Sequence, residues 1–327
     1  MFYEIAEDLT PQERRDLQDI VESCSIIDRD YSLRKLQNGA TDTFRIISPH
    51  FNVSTLLSSQ KNFNKLQYEE KDVRRGIHLA RMLWTSKIMG YHGLPRSGTD
   101  LASKGYHIQG NVFSDKFLVD VQREIAKFPY ATSKNEKNII SGSNSLVLAE
   151  ALHKLYKPVM NIISGALEPS SEMERQYIEN TFIQRLHNKN GDGDVQKVFH
   201  SDTFFPAFKF WFFPFEVTLN EGPFAYIPFS NDPDRSDDLL EWYYKQSVDI
   251  VTNSYDNKTR TYGHAEGSFR ILPEELKSFG FDEMQMVVPA NTLVVANVLG
   301  FHRRSDAITE GFRDAIHGSI RTESPFA

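Results

Sequence analysis

His200 and Asp202 stand two residues apart in the stretch Phe199-His200-Ser201-Asp202-Thr203. In an extended chain alternate side chains share a face, so both can point at one spot from a single strand or strand end. An imidazole and a carboxylate placed that way are half of a metal site. A second histidine from a distant strand would complete the two-histidine, one-carboxylate set that covers one face of a non-haem iron and leaves the other face open for chemistry. Taken alone, His-x-Asp is more commonly a hydrogen-bonded surface pair.

His302 is the candidate third ligand. It follows Thr292 to Leu299, TLVVANVL, an apolar run of strand length and composition, by way of Gly300 and Phe301. A histidine at a strand end suits a cavity mouth, although a lone one is more often a hydrogen-bonded structural residue. Gly311 then permits a reversal into RDAIHGSIR, a strand in which Arg313, Ala315, His317, Ser319 and Arg321 share one face. A guanidinium facing a cavity beside a metal calls for an anion. Its planar fork matches a carboxylate at two points, so a small dicarboxylate can chelate the metal at one end and meet Arg313 at the other. A structural salt bridge is the competing reading for an isolated arginine.

Those residues must be held by short strands. Runs over Asn180 to His187, Phe208 to Leu219, Phe224 to Pro228, Met284 to Val288, Thr292 to Leu299 and Arg313 to Arg321 are separated by turn signals. Many short strands so divided predict a β-sandwich or barrel of the jelly-roll kind, here with helices packed outside. Two helices precede the strands. One is capped by Ser114 with Phe117, Leu118, Val121 and Ile125 on one face; the other runs from Leu146 to Ile163, interrupted by Pro158. Ahead of Gly105, residues 1–104 read as a largely helical extension. Thr10-Pro11-Gln12-Glu13 has the pattern of a capping box, Val73, Ile77, Ala80, Trp84 and Ile88 recur at helical spacing over Tyr68 to Met89, and 93–104 read as a connector. The expected organisation is a helical N-terminal extension over 1–104 and a β-rich α+β domain over 105–327.

Bulk properties narrow the function. A formal charge of −7 and a pI near 5.8 offer no basic field for a phosphate backbone, so nucleic acid is not an expected partner. Cys24 is the only cysteine, so no intrachain disulfide can form, which fits a reducing compartment. No apolar run approaches the ~18 residues of a membrane span and no signal pattern opens the chain, so a soluble cytoplasmic protein without membrane attachment is expected. The helical extension either shapes a substrate entrance or joins two copies into a homo-oligomer, and the sequence leaves both open.

Together, His200-x-Asp202, GPFAYIPFSN (Gly222 to Asn231), and NTLVVANVLGFHRRSD (Asn291 to Asp306) with Arg313 eleven residues past His302 resemble the phytanoyl-CoA dioxygenase family of Fe(II)- and 2-oxoglutarate-dependent oxygenases. The likeness runs from about Gly105 to the C-terminus and rests on the order and spacing of several motifs. It implies a double-stranded β-helix of the jelly-roll or cupin-like kind, with His200, Asp202 and His302 as iron ligands and Arg313 as the partner of 2-oxoglutarate. His187 and Lys209 are the closest positional matches to the family's other cosubstrate contacts. The implied reaction is oxidative decarboxylation of 2-oxoglutarate to succinate and carbon dioxide, coupled to oxidation of a small-molecule substrate, by default hydroxylation. Asp202 disfavours halogenation, for which enzymes of this type leave the carboxylate position to a small residue. Two departures stand out. Pro228-Phe229-Ser230-Asn231 replaces the usual Pro-Gly-Ser-His, and Arg304 stands where the family often has a small or hydroxylated residue.

Substrate contacts are expected from Trp211, which shares the parity of Lys209, from His264 on a glycine-flanked loop, and from His317 on the Arg313 face. His264 is also an alternative third ligand, and His317 is equally a buried hydrogen-bonded histidine. Among Phe204, Phe205, Phe208, Phe210, Trp211, Phe212 and Phe213, those on the other parity are plain core. Asn188 to Asp194, NKNGDGD, has the composition of a calcium loop without the spaced glutamate, so a turn is expected there. Two other classes fit the same residues: a cupin-like hydrolase or isomerase using zinc or manganese, and a catalytically silent binding protein.

Overall fold

The computed structural model describes residues 98–129, 138–139, 145–166, 181–189, 194–202, 207–232, 235–236, 238–239, 241–243, 255–256, 261–262 and 269–320. The expected helices around Thr10 and over Tyr68 to Met89 lie outside the described residues, as do His264, Phe204, Phe205 and Arg321.

Two antiparallel sheets carry the fold. The larger has the order β1-β11-β5-β13-β3-β2, made of Tyr106–Gln109 (β1), Thr292–Asn297 (β11), Phe208–Phe213 (β5), Gly311–Ile320 (β13), Thr181–Asn188 (β3) and Asn138–Ile139 (β2). The smaller has the order β10-β6-β12-β4-β9, made of Met284–Gln285 (β10), Phe224–Tyr226 (β6), His302–Arg304 (β12), His200–Ser201 (β4) and Phe269–Arg270 (β9). Eight of these strands, β3, β4, β5, β6, β10, β11, β12 and β13, taken in chain order, change sheet at every step but one, since β6 and β10 both lie in the smaller sheet; β7 (Tyr255–Asp256) and β8 (Thr261–Tyr262) pair with each other apart from both. Numbered one to eight, those eight strands lie in the orders 6-3-8-1 and 5-4-7-2.

Strand parity decides what each face does. On β5, Phe208, Phe210 and Phe212 point outward, and Phe113 meets Phe212 at 4.6 Å between ring centroids. The outer face is covered by α2 (Asp115–Ile125), capped by Ser114, and by α3 (Leu146–Ala166), which packs on β11. The opposite parity, Lys209, Trp211 and Phe213, faces the small sheet, and Trp211 comes within 4.3 Å of Phe224 on β6. Arg313, Ala315, His317 and Ser319 share that inner face, because His317 pairs with Trp211 and Ser319 with Lys209. No described helix is long and apolar enough to cross a membrane.

Three expectations change. Pro158 does not interrupt α3, which is one helix of 21 residues. Leu155, Val159, Met160 and Ile163 are buried on both sides of the proline, and their burial outweighs the ~3 kcal/mol that proline costs inside a helix. The strand from Phe208 stops at Phe213, since Pro214 has no N–H to offer a ladder. The expected connector closes with a short helix, α1 (Asp100–Lys104), capped by Thr99 and ended by left-handed Gly105, with Leu101 in the core.

Gly222 shows how closely the inner layer is fitted. Its φ is +65°, and a Cβ there would lie 1.8 Å from Asn188 Nδ2. Gly280 has φ +68° with open space around it, so it isolates the backbone cost alone. Gly222→Ala is expected to destabilise by about 2 kcal/mol or more in urea denaturation, and Gly280→Ala by only about 1 kcal/mol; equal effects would show that the close approach at Gly222 is relaxed without cost.

Candidate metal centre

The two histidines are neighbours because the small sheet pairs them. His302 lies directly opposite His200 across β12 and β4, and opposite Tyr226 on its other side. Residues paired this way project from the same face, so both rings enter the space between the sheets, 4.5 Å apart and tilted by 51°. Asp202 follows β4 and is fixed through its backbone N–H, which donates to Val298 O at 2.9 Å. All three side chains are buried.

Hydrogen bonds on the far side of each ring set its chemistry. His200 Nδ1 lies 2.8 Å from Val198 O and His302 Nδ1 lies 2.9 Å from Gly300 O. A carbonyl can only accept, so each Nδ1 carries the proton and each Nε2 presents a lone pair inward. Burial, and then the neighbouring His302, hold the His200 pKa well below the ordinary histidine value, which keeps its ring neutral, the form a metal needs. Gly300 also packs without a side chain, since a Cβ would fall 1.9 Å from the Tyr226 hydroxyl.

The inward atoms converge without bonding one another. His200 Nε2 is 3.8 Å from Asp202 Oδ1, and His302 Nε2 is 3.7 Å from Asp202 Oδ2. Those separations are too long for hydrogen bonds. One atom from each of His200, Asp202 and His302 lies within 4.8 Å of the others, the only such group of metal-ligating side chains among the described residues. Two nitrogens and one carboxylate oxygen suit a first-row divalent cation and leave its remaining positions open.

Arg313 is set back from this trio on β13. It is 5% exposed; Nη1 donates to Gly222 O at 2.7 Å, and Nε has no hydrogen-bond partner among the described residues. Burial first, then the charge of Arg304, draw its pKa down to about 9. A buried guanidinium resting on a neutral carbonyl calls for an anion. Arg304 shares the His302 face of β12, one two-residue step or ~7 Å along the strand, and contacts the buried carboxylate of Asp194. Its charge acts on Arg313, so two guanidiniums stand near one another on the inner side of the sheets.

The other expected contacts are distributed unevenly. Lys209 reaches the trio, with Nζ 2.6 Å from Asp202 Oδ2, rather than Arg313, which lies six residues or ~20 Å along β13 from Lys209's partner Ser319. Trp211 and His317 stack at 4.9 Å on the inner face between those two positions, and His317 Nδ1 is bonded to Phe210 O. His187 is not brought to Arg313. It pairs with Phe312, stacks on that ring at 4.6 Å and contacts Glu310, while Leu186 takes the place opposite Arg313. Sequence reasoning missed the Val198 and Gly300 carbonyls that fix the tautomers, which carry no side-chain signal. It also missed Arg304, whose parity with His302 is readable.

No protein-family model and no curated protein matches the chain. Solved structures do. The epimerase SnoN, in complex with Fe3+, alpha ketoglutarate and nogalamycin RO, is 13% identical over 67% of this chain and 80% of its own, with a TM-score of 0.39. HygX from Streptomyces hygroscopicus, with nickel and 2-oxoglutarate bound, is 15% identical over 67% and 82%, with a TM-score of 0.36. EvdO2 from Micromonospora carbonacea var. aurantiaca is 13% identical over 69% and 91%, with a TM-score of 0.40. Likenesses this distant carry no argument about chemistry, which rests on the residues themselves.

An arginine buried for a ligand costs stability until the ligand arrives. Arg313→Met, which keeps most of the volume, is expected to melt no lower than the wild type in a ligand-free thermal scan; a fall of more than about 5 °C would mean that the guanidinium is there to hold the fold.

Proposed function

We propose that this chain is an Fe(II)- and 2-oxoglutarate-dependent oxygenase acting on a small molecule, with hydroxylation as the default outcome, built on a double-stranded β-helix. The observation that carries the reading is the buried guanidinium of Arg313, without a counter-charge among the described residues, facing the space between the sheets into which His200, Asp202 and His302 converge. A metal-dependent hydrolase needs the trio but gives no reason for Arg313, and a silent binding protein needs neither. The two interleaved four-strand orders, 6-3-8-1 and 5-4-7-2, support the fold assignment.

In this reading the trio holds the metal through His200 Nε2, His302 Nε2 and a carboxylate oxygen of Asp202. Bound iron with its 2-oxo acid and dioxygen supplies the oxidising chemistry. The protein's part is placement. Nδ1 bonds to Val198 O and Gly300 O keep both rings aimed, and Arg313 would receive the far carboxylate of the cosubstrate. Trp211, stacked on His317, and Phe224 wall the space between and exclude water. With a carboxylate at Asp202, halogenation would be disfavoured and hydroxylation favoured. The substrate would be approached from the open side of the trio.

Under anaerobic conditions with Mn(II), calorimetry is expected to show 2-oxoglutarate binding that requires metal and weakens at least about 100-fold in Arg313→Met. Aerobically with Fe(II), the protein is expected to release succinate from 2-oxoglutarate, and His200→Ala to release none above background. Metal binding with no affinity for 2-oxoglutarate would instead favour the hydrolase or isomerase reading.

A further inference from the structure

Lys209 enters the metal-ligand trio from the opposite sheet. Its Nζ lies 2.6 Å from Asp202 Oδ2, the oxygen that also faces His302 Nε2 at 3.7 Å. The Asp202 side chain is 3% exposed, and a carboxylate that deep requires a counter-charge. Neither histidine is close enough to supply it by a hydrogen bond, at 3.8 and 3.7 Å, whereas the Lys209 ammonium is. A divalent cation held by the trio would lie against the same carboxylate, within a few ångströms of the ammonium. Charges of like sign at that range repel strongly in a buried site. The two cations therefore compete for Asp202.

The inner face offers the ammonium somewhere else to go. Ser319 is the cross-strand partner of Lys209 on β13 and points the same way. Its Oγ is shielded from solvent and has no hydrogen-bond partner among the described residues. Directly paired residues have Cβ atoms ~5 Å apart, well within the sweep of a four-carbon stem. A buried hydroxyl with no partner among the described residues, within reach of the lysine stem, can accept from the ammonium.

Resting on the metal reading of the trio, we propose that Lys209 is the resident counter-ion of the site: it neutralises Asp202 before metal binds, then moves to the Ser319 hydroxyl as the cation takes the carboxylate. Lys209 is on this account a positioning residue. It keeps Asp202 in place without metal and weakens the final affinity for metal.

The test uses the full-length protein with Mn(II) alone as the probe, near neutral pH, in wild type, Lys209→Met, Lys209→Gln, Ser319→Ala and His302→Ala. Calorimetry is expected to show at least about tenfold tighter Mn(II) binding in Lys209→Met and Lys209→Gln, and about threefold weaker binding in Ser319→Ala. Ligand-free Lys209→Met should melt below the wild type, and saturating Mn(II) should close that gap, a crossing that a purely structural lysine would not produce. Should Lys209→Met fail to fold, Lys209→Gln, which keeps a donor without the charge, carries the same expectation. Lys209 variants that bind Mn(II) no more tightly than the wild type, or a melting gap that persists with metal, overturn the proposal alone. A wild type whose Mn(II) binding is absent or unaffected by His302→Ala overturns the metal reading and the proposal with it.

Discussion

Everything at the centre depends on one cross-strand pair, His200 opposite His302. β4 and β12 contribute only two and three residues, yet their pairing fixes which two rings share the cavity. A slip of one residue would turn one imidazole out of the sheet and replace it with Ser201 or Arg303. The register is defended from several sides. His302 is also paired to Tyr226, Ser305 N–H donates to Pro223 O at 2.9 Å, and the Tyr226 hydroxyl donates to Asn297 O at 2.8 Å. The bond from Asp202 N–H to Val298 O then brings the carboxylate to the same point.

Charge is distributed with equal care. The interior between the sheets holds Asp202, Lys209, Asp194, Arg304 and Arg313, and the carboxylates are already engaged by Lys209 and Arg304. Arg313 is left with a carbonyl at Nη1 and nothing at Nε among the described residues. Contrast Arg185 and Asp314 on the outer face of the same strands. There a buried arginine meets its carboxylate at 3.1 and 3.2 Å and also donates to Phe128 O. Among the described residues, two buried arginines on neighbouring strands thus differ: Arg185 meets a carboxylate and Arg313 only a carbonyl.

Much of this was readable from residue types and parity. The alternation of Arg313, Ala315, His317 and Ser319 gave one inner face, and that of Lys209 and Trp211 gave its continuation, because a period of two needs no knowledge of partners. The Ser114 cap and its apolar stripe likewise forecast α2. His187 shows the limit. Which residue of β3 lies opposite Arg313 is a matter of register between strands far apart in sequence, and a shift of one residue exchanges Leu186 for His187. β4 and β12 are too short to display any period, so the convergence of His200 with His302 came from motif order. Pro158 misled because local propensity was outweighed by burial on either side of it.

The central claim is that three side chains chelate one iron and that a guanidinium behind them receives the far end of a 2-oxo dicarboxylate. Anaerobic titration of the Fe(II)-loaded protein with 2-oxoglutarate, followed by visible absorption, tests it directly. The account predicts a charge-transfer band of the iron–2-oxo acid chelate that saturates in the wild type, is lost in His302→Ala, and needs far higher cosubstrate in Arg313→Met. No band in the wild type, or one indifferent to both substitutions, would contradict it.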